Sequence, residues 1–108
     1  MTSHPSARDK MNTLLMDSLQ QRPTAEPDWR DYAVWMEERI AHDFLCKPAV
    51  LDNLNPNALT PQQALGLIYA LPELVPQRQQ ATRTNTPSAW KAYANWLECQ
   101  IRTYSAAA

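Results

Sequence analysis

Trp29-Arg30-Asp31-Tyr32-Ala33-Val34-Trp35-Met36-Glu37-Glu38-Arg39-Ile40 reads without a gap against Trp90-Lys91-Ala92-Tyr93-Ala94-Asn95-Trp96-Leu97-Glu98-Cys99-Gln100-Ile101. Both follow W-(R/K)-x-Y-A-x-W-(M/L)-E-x-x-I, and all four tryptophans of the chain lie inside the two copies. On a helix of 3.6 residues per turn, the first Trp, the Tyr and the closing Ile share one face. The second Trp sits about 100° aside. The pattern therefore predicts two helices that bury the same face, leaving Trp35 and Trp96 at the edge of the core.

Composition agrees with helices. The chain has one glycine against nine prolines in 108 residues. Tight hairpin turns want residues at positive φ, whereas proline serves well at helix starts and stops. An all-β fold is set aside on this ground. At this length the chain forms one domain, residues 1–108, with a hydrophobic core that needs no staples.

Working outward, Met11, Leu14, Leu15, Ser18 and Leu19 recur at helical spacing and predict a first helix over about 6–21, N-capped by Ser6 and closed by Pro23. Pro27 and Asp28 open the first Trp helix, which runs to about Leu45 before Pro48. Pro48 to Leu54 reads as short turns. Thr60-Pro61-Gln62-Gln63 is a capping box with proline at the first helical position, and it predicts a third helix to about Leu71. Gly66 within it marks either a close helix contact or a tolerated cost of about 1 kcal/mol.

Residues 73–85 are polar, offer no face to bury and read as a mobile loop. Thr86-Pro87 starts the second Trp helix, which frays at 105–108. Residues 1–5 read as disordered. The expectation is an all-α domain of four main helices, arranged as two sequence-related αα-hairpins about a pseudo-twofold axis. Thr13–Leu19 and Gly66–Leu71 are taken as the matching upstream members.

Charge narrows the function classes. The net charge is -1, where a nucleic-acid binder usually carries a basic surplus. The segment 26–43 holds six acids and two bases, and 74–108 holds four bases and one acid. Either these faces complement each other inside the fold, or the acidic one is offered to a basic partner. No run approaches the ~18 apolar residues of a membrane span, and 1–11 has no signal-peptide core. The expected setting is cytoplasmic, with Cys46 and Cys99 as free thiols.

Candidate chemistry is sparse. Glu37 and Glu98 stand at equivalent positions, but the Glu-x-x-His spacing of a di-metal bundle is missing. They read as exposed helix-surface carboxylates. His42 and Cys46 share a helical face, and Cys99 could add a third ligand, yet no CxxC or nearby second histidine supports a metal site. One glycine rules out a nucleophile elbow or a phosphate-cradling loop. No cofactor and no catalytic residue is expected.

The function expected is non-catalytic protein–protein interaction, as a small adaptor, inhibitor or accessory factor. The candidate partner-binding residues are Trp35, Trp96, Asp31, Glu37 and Glu38, with a protein partner expected and a homodimer left open. The alternative is a DNA-binding regulator with a helix-turn-helix in 54–83, reading bases through Arg78, Gln79 and Arg83. Against it, that segment lacks apolar docking positions, Pro76 interrupts its approach, and the acidic helix would repel phosphates.

Overall fold

A computed structural model describes residues 7–24, 28–44, 54–55 and 57–106. The described residues form five helices: α1 (Ala7–Gln21), α2 (Trp29–Asp43), α3 (Pro61–Ala70), α4 (Pro76–Thr84) and α5 (Pro87–Ala106). A 3-10 turn, Pro72–Leu74, joins α3 to α4. There is no strand among the described residues, and none of their helices is long and apolar enough to cross a membrane. The expected disorder of 1–5, the Ser6 cap, the turns at 48–53 and Cys46 lie outside the described residues, as do 107 and 108. Ser105 and Ala106 still belong to α5.

The two Trp helices form the centre. α2 and α5 share the most extensive helix–helix contact, and α1 packs on both of them. Trp29, Tyr32 and Ile40 of α2 and Trp90, Tyr93 and Ile101 of α5 are all buried, as the helical spacing predicts. Ala33 and Ala94 are fully buried; a small side chain there lets the neighbouring helix approach closely. Met36, Leu97, Phe44, Leu65, Ile68, Met11 and Leu14 complete the same core.

Local signals place the helix ends. Thr60 Oγ1 accepts the Gln63 backbone N–H at 3.1 Å, while Gln63 Oε1 accepts the Thr60 N–H at 3.2 Å. Two orphan donors are thus satisfied reciprocally. Thr86 Oγ1 likewise accepts the Ala89 N–H at 3.2 Å at the start of α5. Gly66 is buried within α3.

Three expectations are corrected. Residues 73–85 are not an irregular loop but carry the helix Pro76–Thr84, and the described residues form five helices rather than the four expected. Pro76 occupies the first turn of α4, where its missing N–H costs nothing and its fixed φ suits the helix; it starts the element instead of interrupting it. The segment gave no apolar stripe because α4 buries only Ala81, with Val75 just before it. Glutamine, arginine and alanine have high helix propensity, and an ion pair supplies the rest of the docking. Asn85, at φ 51° in the left-handed region, ends α4, a conformation asparagine adopts more readily than most residues.

On α1, Leu19 falls on the apolar stripe by its spacing but is 62% exposed, next to Met16 at 68%. The stripe is narrower than the spacing suggests because α1 packs through Met11, Leu14 and Ser18, all fully buried. Ser18 is satisfied by donating to the Leu15 carbonyl at 2.7 Å.

Candidate functional site

Tyr32 and Tyr93 are core residues, and a phenol in a core must find a partner for its hydroxyl. Each finds it in the other copy of the motif. Tyr32 donates to Glu98 Oε2 at 2.5 Å, and Tyr93 donates to Glu37 Oε2 at 2.5 Å. Both carboxylates are themselves buried. An arginine from outside the motif closes each cluster. Arg22 Nη1 lies 3.1 Å from Glu98 Oε1, and Arg78 Nε lies 2.6 Å from Glu37 Oε2. Arg22 Nη2 also donates to Asn95 Oδ1 at 3.0 Å.

The aromatic geometry repeats with the same reciprocity. Trp29 meets Tyr32 edge-on at 5.8 Å, and Trp90 meets Tyr93 edge-on at 6.0 Å. Tyr32 stacks on Trp35 at 6.1 Å, as Tyr93 does on Trp96 at 6.0 Å. The cation after the first Trp of each copy crosses to the other copy. Arg30 lies 5.8 Å from the Trp90 ring, and Lys91 lies 5.5 Å from the Trp29 ring. Each such contact adds about 0.5–1 kcal/mol at exposed positions.

These surroundings act on the acid–base chemistry. Burial, followed by the Glu37 charge and hydrogen bond, pushes the Tyr93 phenol well above its ordinary value. Burial and then the Glu98 hydrogen bond do the same to Tyr32. The Arg78 guanidinium is raised chiefly by its hydrogen bond to Glu37. A phenol held this firmly as a neutral donor is poorly suited to act as a general base near neutral pH.

The sequence-predicted residues separate into two groups. Glu37 is not an exposed surface carboxylate, and neither is Glu98: both are buried acceptors in the clusters just described. Helical periodicity places them near the buried face, and only the opposing tyrosine and arginine make that burial tolerable. Asp31 and Glu38 are exposed. Trp35 and Trp96 are partly buried at the edge of the core. The Arg39 guanidinium lies over the Trp35 ring, 5.5 Å from its centre, while pairing with Asp17 at 3.0 Å and Asp43 at 3.3 Å. Asp43 is pushed up by burial, but the hydrogen bonds from His42 and Arg39 outweigh this and hold it below the usual carboxylate range.

The residues of the DNA-reading alternative also divide. Arg78 is taken up by Glu37, Gln79 donates its side-chain amide to the Glu73 carbonyl at 2.8 Å, and Arg83 is exposed. Among the described residues, no three His, Cys, Asp or Glu side chains gather as metal ligands. Cys99 is an exposed free thiol.

Sequence reasoning missed Arg22 and the cross-copy bonds. One signal was available: each copy places a glutamate five residues after its tyrosine, and a buried phenol calls for an acceptor. No signal in the sequence picks out Arg22 or Arg78 from the other arginines.

A family model for the DNA mismatch repair protein MutS C-terminal region matches residues 49–74. That span takes in α3 and the turn after it, less than a quarter of the chain, and includes no residue of either Trp motif. No curated protein and no solved structure matches the chain.

Proposed function

We propose that this protein is a cytoplasmic, non-catalytic protein–protein interaction module built from two sequence-related helix pairs, α1–α2 and α3–α5. The reciprocal Tyr–Glu–Arg clusters support the duplicated architecture. α3 meets both α2 and α5, as α1 does, whereas α4 packs closely on only one of the two Trp helices, α5. Arg22 and Arg78 both lie between the upstream helix and the Trp helix, which supports α3 as the upstream member of the second pair.

The observation that carries the interaction reading is the pair Met16 and Leu19, one helical turn apart on α1 and both more than three-fifths exposed. Neighbouring exposed apolar side chains favour a docking role over a purely solvated face. Tyr69, Leu71 and Leu74 are further exposed apolar side chains around the end of α3. The motif's polar groups, by contrast, are consumed inside the fold. Asp31 and Glu38 remain outside to steer a basic partner.

The test is sedimentation and binding with Met16→Ser and Leu19→Ser, singly and together. Loss of a native partner with an unchanged melting curve supports the reading. Retention of every partner by the double variant sinks it. The DNA-reading alternative has α4 following α3 through a short turn in its favour, but it has lost Arg78 to an internal ion pair. Tight duplex binding by the unsubstituted protein at physiological salt, abolished by Arg83→Ala, would revive it.

A further inference from the structure

We infer that the groove between the end of α1 and the start of α2 takes an arginine side chain from a partner protein. This rests on the interaction reading above and gives that partner its chemistry. The groove holds about 320 Å³, at the small end of the range for ligand pockets. Gln21 and Pro23 line it from the end of α1 and the link that follows, and Asp28, Asp31, Tyr32 and Trp35 line it from the start of α2.

The two carboxylates are uncommitted, whereas the cations near them in sequence are not. Asp28 stands at the N-cap of α2, but its side chain makes no capping hydrogen bond. Among the described residues, neither Asp28 nor Asp31 forms an ion pair. Arg22 is turned to Glu98 at 3.1 Å, Arg30 lies over the Trp90 ring at 5.8 Å, and Arg39 pairs with Asp17 and Asp43. The groove therefore keeps two negative charges that these arginines leave unneutralised. The second copy of the motif carries Ala89 and Ala92 at the matching positions. A helix dipole favours acids at this end, yet α5 has the same dipole and no acid in its first turn. Starting and burying a Trp helix thus does not require Asp28 and Asp31.

A guanidinium suits this lining better than an ammonium. Its planar fork of donors can bridge two carboxylates three residues apart on a helix, and the Gln21 side-chain oxygen can accept a further N–H. The Tyr32 and Trp35 rings lie nearly parallel, 14° apart, and with Pro23 they offer an apolar wall to the aliphatic stem. An ammonium is more strongly hydrated and lacks the fork.

The test titrates the full chain with a blocked tri-arginine peptide and follows the indole N–H signals of the four tryptophans by NMR. The Trp35 signal should shift saturably. That of Trp96, which stacks on Tyr93 in the same way but has Ala92 in place of Asp31, should stay. Asp28→Ala with Asp31→Ala installs the second copy's residues and should weaken the Trp35 response about tenfold or more, with the melting curve unchanged. Asp28→Asn with Asp31→Asn keeps the shape of the groove and should do the same. On the unsubstituted chain, tri-lysine should bind more weakly than tri-arginine, and uncharged tri-citrulline should leave Trp35 unmoved. No shift at Trp35, an undiminished shift in both double variants, or equal binding of tri-lysine overturns the inference. The peptide comparison needs no variant, so it decides the matter even if the alanine pair disturbs the start of α2. A failed titration leaves the interaction reading standing where Met16→Ser and Leu19→Ser still release a native partner. Retention of every partner by those variants removes that reading without moving the Trp35 signal.

Discussion

Replacing Tyr93 with phenylalanine removes one oxygen from the buried contact between α2 and α5. The lost bond is short, 2.5 Å to Glu37 Oε2, and its acceptor is a carboxylate. Hydrogen bonds to charged groups contribute about 1.5–3 kcal/mol. Glu37 is not orphaned by the change, because Arg78 still reaches the same oxygen at 2.6 Å. The cost should therefore be the bond itself, about 2 kcal/mol, without the extra penalty of an unpaired buried charge. Glu37→Gln weakens the same bond from the other side and also loses the Arg78 charge pair. If the two side chains act on each other, the Tyr93→Phe, Glu37→Gln double variant will cost less than the sum of the singles, by about 1–2 kcal/mol. Urea unfolding followed by circular dichroism on the four proteins gives this coupling from midpoints at constant slope. A coupling below about 0.5 kcal/mol, the usual error of additivity, would refute the claim that the tyrosine–glutamate bond holds the two copies together.

Trp90→Ala and Trp29→Ala should each cost about 3–5 kcal/mol, since both indoles are buried in the core, and a loss under about 1 kcal/mol by the same unfolding assay would place them at the periphery. Because Tyr93 holds its proton more tightly folded than unfolded, its contribution is complete below the free-phenol value near 10. That contribution is lost as pH rises beyond it, by up to about 1.4 kcal/mol per pH unit. Urea midpoints measured on either side of that pH should fall less steeply in Tyr93→Phe than in the parent, and identical slopes would contradict the burial argument. Asp31→Lys with Glu38→Lys should leave the melting curve within about 0.5 kcal/mol of the parent and slow association with a basic partner in a salt-dependent way. Adding Glu37→Lys should collapse the fold, because it sets a cation against Arg78 inside the core; a triple variant as stable as the double one would show that Glu37 is not buried.

Helical content, the four helices with an apolar stripe, the capping box at Thr60 and the buried Trp-Tyr-Ile face were legible from the chain alone. Those features depend on residues within a turn or two of one another, where spacing and propensity act directly. The polar helix α4 was not legible, since it lacks the stripe that periodicity detects and docks through Ala81, Val75 and the Arg78 ion pair. The burial of Glu37 and Glu98 is hidden from the sequence for a related reason. A carboxylate's default place is water, and what reverses it is a tyrosine about sixty residues away and an arginine from a third element, brought together only by packing. Local spacing and propensity are enough to make two like helices and to fix which faces they hide. That they hide them against each other follows from packing across the whole chain, because only there does each buried phenol meet its acceptor and each buried acid its cation.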